Sequence, residues 1–150
     1  MRPASIILFE RLYLGALAVS VVAAVLNWSA DLAAISDYPM IAGIKGGGAI
    51  LPTVYPIVRG LVWAGWLLLW YLVARRGSQV ARILVVVLAL FAAYDGAGVL
   101  LAALSGPHAG WPVTAAIAEA ALLVFAAATL LRPSARPWFS SRRAVGGSAA

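Results

Sequence analysis

The chain has 150 residues, of which 64% are hydrophobic and 11% charged, and its formal net charge is +6. A mean hydropathy of +0.98 does not describe a soluble domain, so the composition indicates an integral membrane protein. The absence of cysteine excludes disulfide frameworks, thiol redox chemistry, iron–sulfur clusters and cysteine-ligated zinc. The single histidine, His108, excludes a bis-histidine haem within one chain, and we interpret it as a solvated loop residue.

Four apolar runs have the length of roughly 20 residues that a helix needs to cross a bilayer core. They cover residues 5–28, 52–74, 80–104 and 111–131. Pro52 and Pro112 suit the first turns of the second and fourth spans. A signal peptide is the alternative for the first span, and Glu10 argues against it because leaders begin with a basic region. The sequence predicts an all-α integral membrane four-helix up-down bundle over residues 1–132.

Basic residues concentrate at three places along the chain. They flank the start of the first span, the turn between the second and third spans, and the end of the fourth, at Arg2, Arg11, Arg75, Arg76, Arg82, Arg132, Arg136, Arg142 and Arg143. Because cytoplasmic loops are enriched in basic residues, we expect both termini to be cytoplasmic. We interpret this charge as a topology signal in a bacterial inner (cytoplasmic) membrane, with the lipid bilayer and no nucleic acid as the partner.

The connection between the first two spans, residues 29–50, is the longest in the chain and is expected to be the outer loop. It is apolar enough to lie on the membrane surface or to cap the bundle, and it contains a short predicted helix over residues 31–36. Its Lys45 and the three glycines that follow lack the spacing and the preceding strand of a phosphate-binding loop. We therefore interpret them as a flexible hinge.

The stretch after the fourth span, residues 133–150, has a different character. It is basic and ends in small residues, which predicts a partly disordered cytoplasmic tail. Trp138 and Phe139 are expected to dock among the lipid headgroups, with the arginines facing anionic lipid.

Arg59, Asp95 and Glu119 each interrupt a predicted span. Arg59 lies about seven residues from the outer start of the second span, Glu119 about eight from that of the fourth, and Asp95 about nine before the outer end of the third. At roughly 1.5 Å per residue, all three reach one level on the order of 10 to 14 Å below the outer interface. A charge at such depth costs about 2.5 to 3.5 kcal/mol on insertion scales, so we expect the three side chains to face one another.

This intramembrane charged cluster leaves a charge imbalance. The Arg59 guanidinium can form a forked pair with either carboxylate, and the other acid is then protonated or is balanced by a cation or a cationic ligand. Two hypotheses stay open: the cluster fixes helix packing, or it forms a proton or cation relay or a solute pocket that opens outward. A lipid-facing position for one of the residues is the third alternative.

An aromatic stripe runs along the second span. Tyr55, Trp63, Trp66 and Trp70 share one helix face with Arg59, because the successive spacings are four, four, three and four residues. Ordinary packing is the commonest use of such a stripe. The alternatives are a pocket wall for an apolar or cationic ligand, a contact with another subunit, and a contact with a pigment or quinone.

Small residues recur at four-residue spacing in the third and fourth spans and permit close approach of two helices. The pairs are Ala92 and Gly96, Ala93 and Ala97, and Ala116 and Ala120. We therefore predict that these two spans form the tightest pair in the bundle.

The chemistry of a recognisable enzyme is missing from the sequence. The chain has no Ser/His/Asp set, no HExxH motif, no DDxxD-type metal and diphosphate site and no dinucleotide fingerprint. Asp95 and Glu119 alone do not define an acid–base site, since no nucleophile or electrophile motif accompanies them. We expect a protein that is not an enzyme and that carries no cofactor and no metal.

The start RPASIILFERLY and the end LLRPSARPWF, together with the four-span plan, resemble the uncharacterised small four-helix inner-membrane proteins of bacteria. The resemblance implies a membrane location and a fold, and it implies no activity. Our first hypothesis is a non-enzymatic accessory or structural subunit that engages a membrane-protein partner or forms a homo-oligomer. The second is a small proton- or cation-coupled transporter or channel subunit that uses Arg59, Asp95 and Glu119.

Overall fold

The computed structural model describes residues 2–43, 47–105 and 110–140. The α-helices are α1 Ala4–Leu26, α2 Trp28–Ser36, α3 Pro39–Ala42, α4 Gly47–Ala74, α5 Gln79–Ser105 and α6 Trp111–Leu131, and residues 136–140 are also helical. A 3₁₀ helix, Pro133–Ala135, follows α6. The interpretations of His108, of the hinge at Lys45 and of residues 141–150 concern positions outside the described ranges.

The helices α1, α4, α5 and α6 are long and apolar enough to cross a membrane, which confirms the four predicted spans. Pro112 lies in the first turn of α6, as predicted. The first-turn position predicted for Pro52 is wrong, because α4 begins earlier and contains both Pro52 and Pro56. A proline has no N–H to donate, so Pro52 leaves the Gly48 carbonyl without its usual helical partner.

The outer segment begins directly at the end of α1. The Asn27 side chain donates from Nδ2 to the Ala23 carbonyl at 2.9 Å, and the chain then turns into α2. The helix α2 contains the short helix predicted over residues 31–36 and starts a few residues earlier. Both α2 and α3 pack against α4, which brings the outer segment onto the spanning helices.

The dense part of the protein lies at one end of the four long helices, which we call the core end. It is formed by the start of α1, the end of α4, the start of α5 and the end of α6. The fully buried side chains with the largest volumes here are Tyr13, Phe9, Phe139, Ile6, Leu123, Leu130, Val73 and Val85. Alanines such as Ala126 and Ala74 fill the remaining buried positions, so the four helices approach closely at this end.

The contacts between α1 and α4 run in opposite order along the two helices. Glu10 meets Arg75, with 3.8 Å between Oε1 and the guanidinium nitrogen. The Tyr13 and Trp66 rings lie 5.9 Å apart between centroids. Beyond α1, Trp28 lies edge-on against Tyr55 at 5.1 Å. The helices α1 and α4 are therefore antiparallel.

The segment after α6 is part of the packed unit, so the predicted boundary at residue 132 is placed too early. Phe139 is only 2% exposed and belongs to the buried core, where the Arg82 guanidinium lies 5.1 Å from its ring centre. Trp138 donates from Nε1 to the Val73 carbonyl at 3.0 Å. These aromatic side chains therefore contact the protein's own helices, Trp138 through the Val73 carbonyl at the end of α4 and Phe139 within the buried core.

Gly77 in that turn has a φ of 61°, and a Cβ there would lie 2.9 Å from the Trp138 carbonyl oxygen. Only glycine adopts this left-handed conformation without strain, so it allows both the turn and the close seat of the C-terminal segment.

The opposite end of the long helices, which we call the open end, is loosely filled. It is formed by the end of α1, the start of α4, the end of α5 and the start of α6, together with α2. Three cavities with polar or charged lining residues occur here, and they are described below. The most extensive helix–helix contact is between α1 and α6, and the contact between α5 and α6 is second. The predicted pair, α5 and α6, is therefore one of the two extensive contacts.

The close approach of α5 and α6 centres on Gly96. A Cβ added to Gly96 would lie 2.7 Å from the Ala120 Cβ, which is far inside van der Waals contact. Both atoms are fixed to helix backbones, so the helices themselves would have to separate.

We expect Gly96→Ala to lower the stability of the purified protein by about 1 to 3 kcal/mol through this overpacking. Gly98→Ala on the same helix is the matched control, since nothing lies within 4 Å of its added Cβ. Thermal unfolding in detergent measures both variants. Equal Tm values for the two variants would contradict the close contact.

We expect Phe139→Ala to lower stability by about 3 kcal/mol, because it empties a buried aromatic site between α4, α5 and α6. Phe125→Ala is the control, since Phe125 is 63% exposed. It should change stability by about 0.5 kcal/mol or less. Thermal unfolding of both variants separates a packed C-terminal segment from a dispensable one, for which Phe139→Ala would behave like its control.

Candidate functional site: a polar network at the open end

A polar network joins α2 to α4 at the open end. The Tyr55 hydroxyl donates to the Asp31 carboxylate, and Arg59 donates from Nε to the Tyr55 hydroxyl at 3.1 Å. The Arg59 guanidinium also pairs with Asp31, with 3.7 Å between Nη2 and Oδ2. The tyrosine hydroxyl therefore acts as donor to the acid and acceptor from the base, and one Asp31 oxygen receives both interactions.

Aromatic contacts hold this network in place. Tyr55 is almost fully buried, with its ring edge-on to Trp28 at the start of α2. The Arg59 guanidinium lies 5.4 Å from the Tyr55 ring centre, within cation–π range. The four-residue spacing of Tyr55 and Arg59 puts both on the side of α4 that α2 covers. The helix α2 is thus fixed to α4 through one aromatic side chain.

The partner of Arg59 differs from the predicted one. We expected a pair with Asp95 or Glu119, and the ion pair that Arg59 forms within the described ranges is with Asp31. The side chains of Arg59 and Asp31 are 40% and 30% exposed. A pair at this partly exposed position loses less hydration than a fully buried one, which explains why the arginine reaches outward to α2.

The polar cavity, as we call it, lies beside this network and has a volume of about 200 Å³. Its polar lining comes from α1 and the residue that ends it, and from α2, α4 and α6, and consists of Ser20, Asn27, Asp31, Arg59 and Glu119. Small residues of α1 and α6 form the rest of the wall. The cavity therefore combines two carboxylates with one guanidinium in a space large enough for a small solute.

Glu119 enters the polar cavity from α6. It lies beside the Ser20 hydroxyl and in the electrostatic field of Arg59. Trp63 donates from Nε1 to the Ser20 oxygen at 3.4 Å, which leaves the Ser20 O–H free to donate to the Glu119 carboxylate. Ser20 is 7% exposed, so this hydroxyl is a buried link between α4 and α6.

Glu119 also lines a second cavity, a groove of about 240 Å³ between α5 and α6. We call it the acidic groove, because Asp95 and Glu119 are its charged residues and no basic side chain lines it. Trp66 and Phe91 form its aromatic walls. The predicted cluster is therefore divided: Glu119 shares one cavity with Arg59 and another with Asp95.

Asp95 has no partner side chain among the described residues. It is exposed on α5, and it forms no ion pair and no side-chain hydrogen bond with the part of the chain that the structure describes. It lies about ten residues, or roughly 15 Å, from the Ser105 end of α5.

The aromatic stripe of Tyr55, Trp63, Trp66 and Trp70 lies on the side of α4 that is turned toward the other helices. Its members do not form one wall. Tyr55 and Trp63 line a cavity of about 130 Å³ next to Arg59, and Trp66 lines the acidic groove and packs on Tyr13. Trp70 lies under Arg75 at the core end, with 5.7 Å from the guanidinium carbon to the ring centre.

Sequence reasoning missed Asp31, Ser20 and Asn27 as members of the site. Asp31 was assigned to the outer segment, and the two others are common in spanning helices as packing residues. A usable signal was present: Asp31 follows the outer end of the first span closely and Tyr55 begins the second, so both belong to one depth.

No protein-family model, no curated protein and no solved structure matches this chain.

We expect Tyr55→Phe to destabilise the protein by about 1 to 3 kcal/mol, because it leaves Asp31 and Arg59 without the hydroxyl that joins them. Tyr94→Phe is the matched control, since Tyr94 is 81% exposed. It should change stability by about 0.5 kcal/mol or less. Chemical or thermal unfolding of both variants tests this, and a Tyr55→Phe variant as stable as its control would remove the network's structural importance.

Proposed function

We propose that the chain is a non-enzymatic accessory subunit that binds a membrane-protein partner through the acidic groove. The observation that carries this proposal is the exposure of Asp95 at mid-depth on α5, without a partner among the residues that the structure describes. An intramembrane carboxylate costs about 2.5 to 3.5 kcal/mol on insertion scales. A second protein surface that covers Asp95 removes that cost.

The surface around Asp95 has the shape and polarity of a helix-binding face. An apolar groove of about 490 Å³ runs beside it, lined by Val87, Leu90, Phe91 and Tyr94. Phe91 and Tyr94 are 65% and 81% exposed. Exposed aromatic side chains around a central polar group are the usual composition of an interaction hot spot.

Charge complementarity defines the partner's chemistry. The acidic groove holds two carboxylates and no basic lining residue, so its occupant is a transmembrane helix that presents a lysine or arginine at the depth of Asp95. A second copy of this chain is a poorer match as the occupant of the acidic groove. Its arginine at that depth, Arg59, already pairs with Asp31 on another face.

The same proposal includes the orientation of the chain: an up-down bundle in a bacterial inner membrane with both termini in the cytoplasm. The core end gathers the first residues, the α4–α5 turn and the segment after α6. Arg2 and Arg75 both meet Glu10 there, at 2.8 Å and 3.8 Å. This concentration of arginine supports a cytoplasmic core end and an outward-facing open end.

A small proton- or cation-coupled transporter or channel subunit is the second candidate. The observation that favours it is the position of Glu119, which lines both cavities. Glu119 thereby connects the polar cavity, which contains Arg59, with the acidic groove, which contains Asp95. This function requires ion flux by the chain itself. Proteoliposomes that contain only this chain would then acidify in response to a potential, and Glu119→Gln would abolish the flux.

We expect a photoreactive amino acid at position 91 to form a discrete protein adduct in the membrane of the cell that produces the chain. The same probe at Leu61 is the control, because Leu61 is 68% exposed on α4, away from the groove. It should label lipid only. Asp95→Asn should reduce the adduct at position 91 by roughly tenfold, which corresponds to the loss of about 1.4 kcal/mol of charge pairing.

Mass spectrometry of the adduct identifies the partner and the labelled segment. A labelled spanning helix with a lysine or arginine supports the proposal. An adduct of twice the chain's mass would replace the basic partner by a second copy, and labelling of lipid alone at both positions would overturn the accessory function.

A further inference from the structure

Several hydrogen-bond acceptors that line the polar cavity at the open end have no protein donor within the described ranges. Asp31 Oδ2 receives Tyr55 and Arg59, and its other oxygen has no partner within the described ranges. Asn27 donates through Nδ2 to Ala23, which leaves its amide oxygen available. Glu119 offers a carboxylate that lies beside the Ser20 hydroxyl and in the electrostatic field of Arg59, with no ion pair to it. Three separate acceptor groups thus line one small space.

The cavity also has an excess of negative charge. Two carboxylates and one guanidinium line it, and the guanidinium is already engaged by Asp31 and Tyr55. Glu119 is the acid without a basic partner within the described part of the chain. An occupant with one positive charge and several N–H donors would neutralise the cavity and satisfy its acceptors.

We propose that the polar cavity binds a primary ammonium group, with Glu119 as its counter-ion and Asp31 and Asn27 as further acceptors. An ammonium has three N–H donors, which equals the number of acceptor groups that the cavity offers. A volume of about 200 Å³ accepts a small alkylammonium. This site is separate from the acidic groove that the proposed function uses, although Glu119 borders both.

Other ligand chemistries fit the cavity less well. An anion would meet two carboxylates. A quaternary ammonium has charge and no N–H, so it would leave all three acceptors unsatisfied. The aromatic residues next to Arg59 line the neighbouring cavity rather than this one, and a quaternary ammonium would depend on them.

A primary ammonium can come from two sources. One is a free amine in the space outside the membrane, and the other is the headgroup of phosphatidylethanolamine. Both share the same –NH₃⁺ chemistry, and the location of the cavity near the proposed outer interface suits either.

The test uses the full chain in phosphatidylcholine nanodiscs, whose lipid has no ammonium N–H. Methylammonium chloride is the probe, and tetramethylammonium chloride is the control with charge and no donor. We expect saturable heat of binding and a rise of Tm with methylammonium, because a ligand that binds only the folded state stabilises it. We expect neither with tetramethylammonium.

Matched variants locate the site. Glu119→Gln should weaken methylammonium binding roughly tenfold or more, as the loss of a charge-assisted contact of about 1.5 to 3 kcal/mol predicts. Asp95→Asn removes the same charge from the acidic groove only and should weaken methylammonium binding much less than Glu119→Gln does. Ala23→Leu keeps every charge and fills the cavity, so it should also abolish methylammonium binding. This variant provides the test if Glu119→Gln proves unstable.

Nanodiscs that contain phosphatidylethanolamine distinguish the two sources. A higher Tm of the parent and competition with methylammonium, both lost in Glu119→Gln, identify the lipid headgroup. Unchanged methylammonium binding in these nanodiscs identifies a free amine. Absence of binding with both probes and no effect of phosphatidylethanolamine would overturn the proposal, as would equal binding of the two ammonium ions or an equal loss in Asp95→Asn and Glu119→Gln.

Discussion

The cost of placing an ionised group in hydrocarbon is the constraint on which the arrangement of the open end depends. Arg59 avoids that cost by reaching outward to Asp31, with the Tyr55 hydroxyl between them. This contact brings α2 down onto α4 and forms one wall of the polar cavity. If Arg59 instead paired inward with Glu119, α2 would lose its polar anchor and the cavity would lose both its outer carboxylate and its charge imbalance.

The two ends of the helices differ because the sequence places different side chains there. At the core end, alanines and a few large aromatic residues fill the space between helices, and Phe139 completes the packing from outside the spans. At the open end, charged and polar side chains replace that filling, and dispersion contacts are lost wherever a cavity remains. The stable end therefore holds the helices at fixed positions, while the other end keeps space for occupants.

The sequence was sufficient for the features that depend on length and periodicity. Run length predicted the four spans, and small-residue spacing predicted the contact at Gly96 and Ala120. It was insufficient where a residue outside a span returns to contact one. Asp31 and Phe139 were assigned to a loop and a tail, since a one-dimensional pattern carries no information on which connection folds back. Depth along each helix placed Arg59, Asp95 and Glu119 near one level, but the helix rotations that divide them between two cavities depend on packing.

Glu119 links the two proposed occupants, because its carboxylate borders both cavities. An ammonium that pairs with Glu119 in the polar cavity reduces the negative charge that faces the acidic groove. A basic residue of a partner helix near Asp95 would then meet a weaker field, so the two binding events oppose each other. Linkage requires this effect to be equal in both directions. The partner must lower the affinity for the ammonium by the same factor by which the ammonium lowers the affinity for the partner. If both proposals hold, this one shared carboxylate is enough to make partner binding at the acidic groove sensitive to the occupant of the polar cavity.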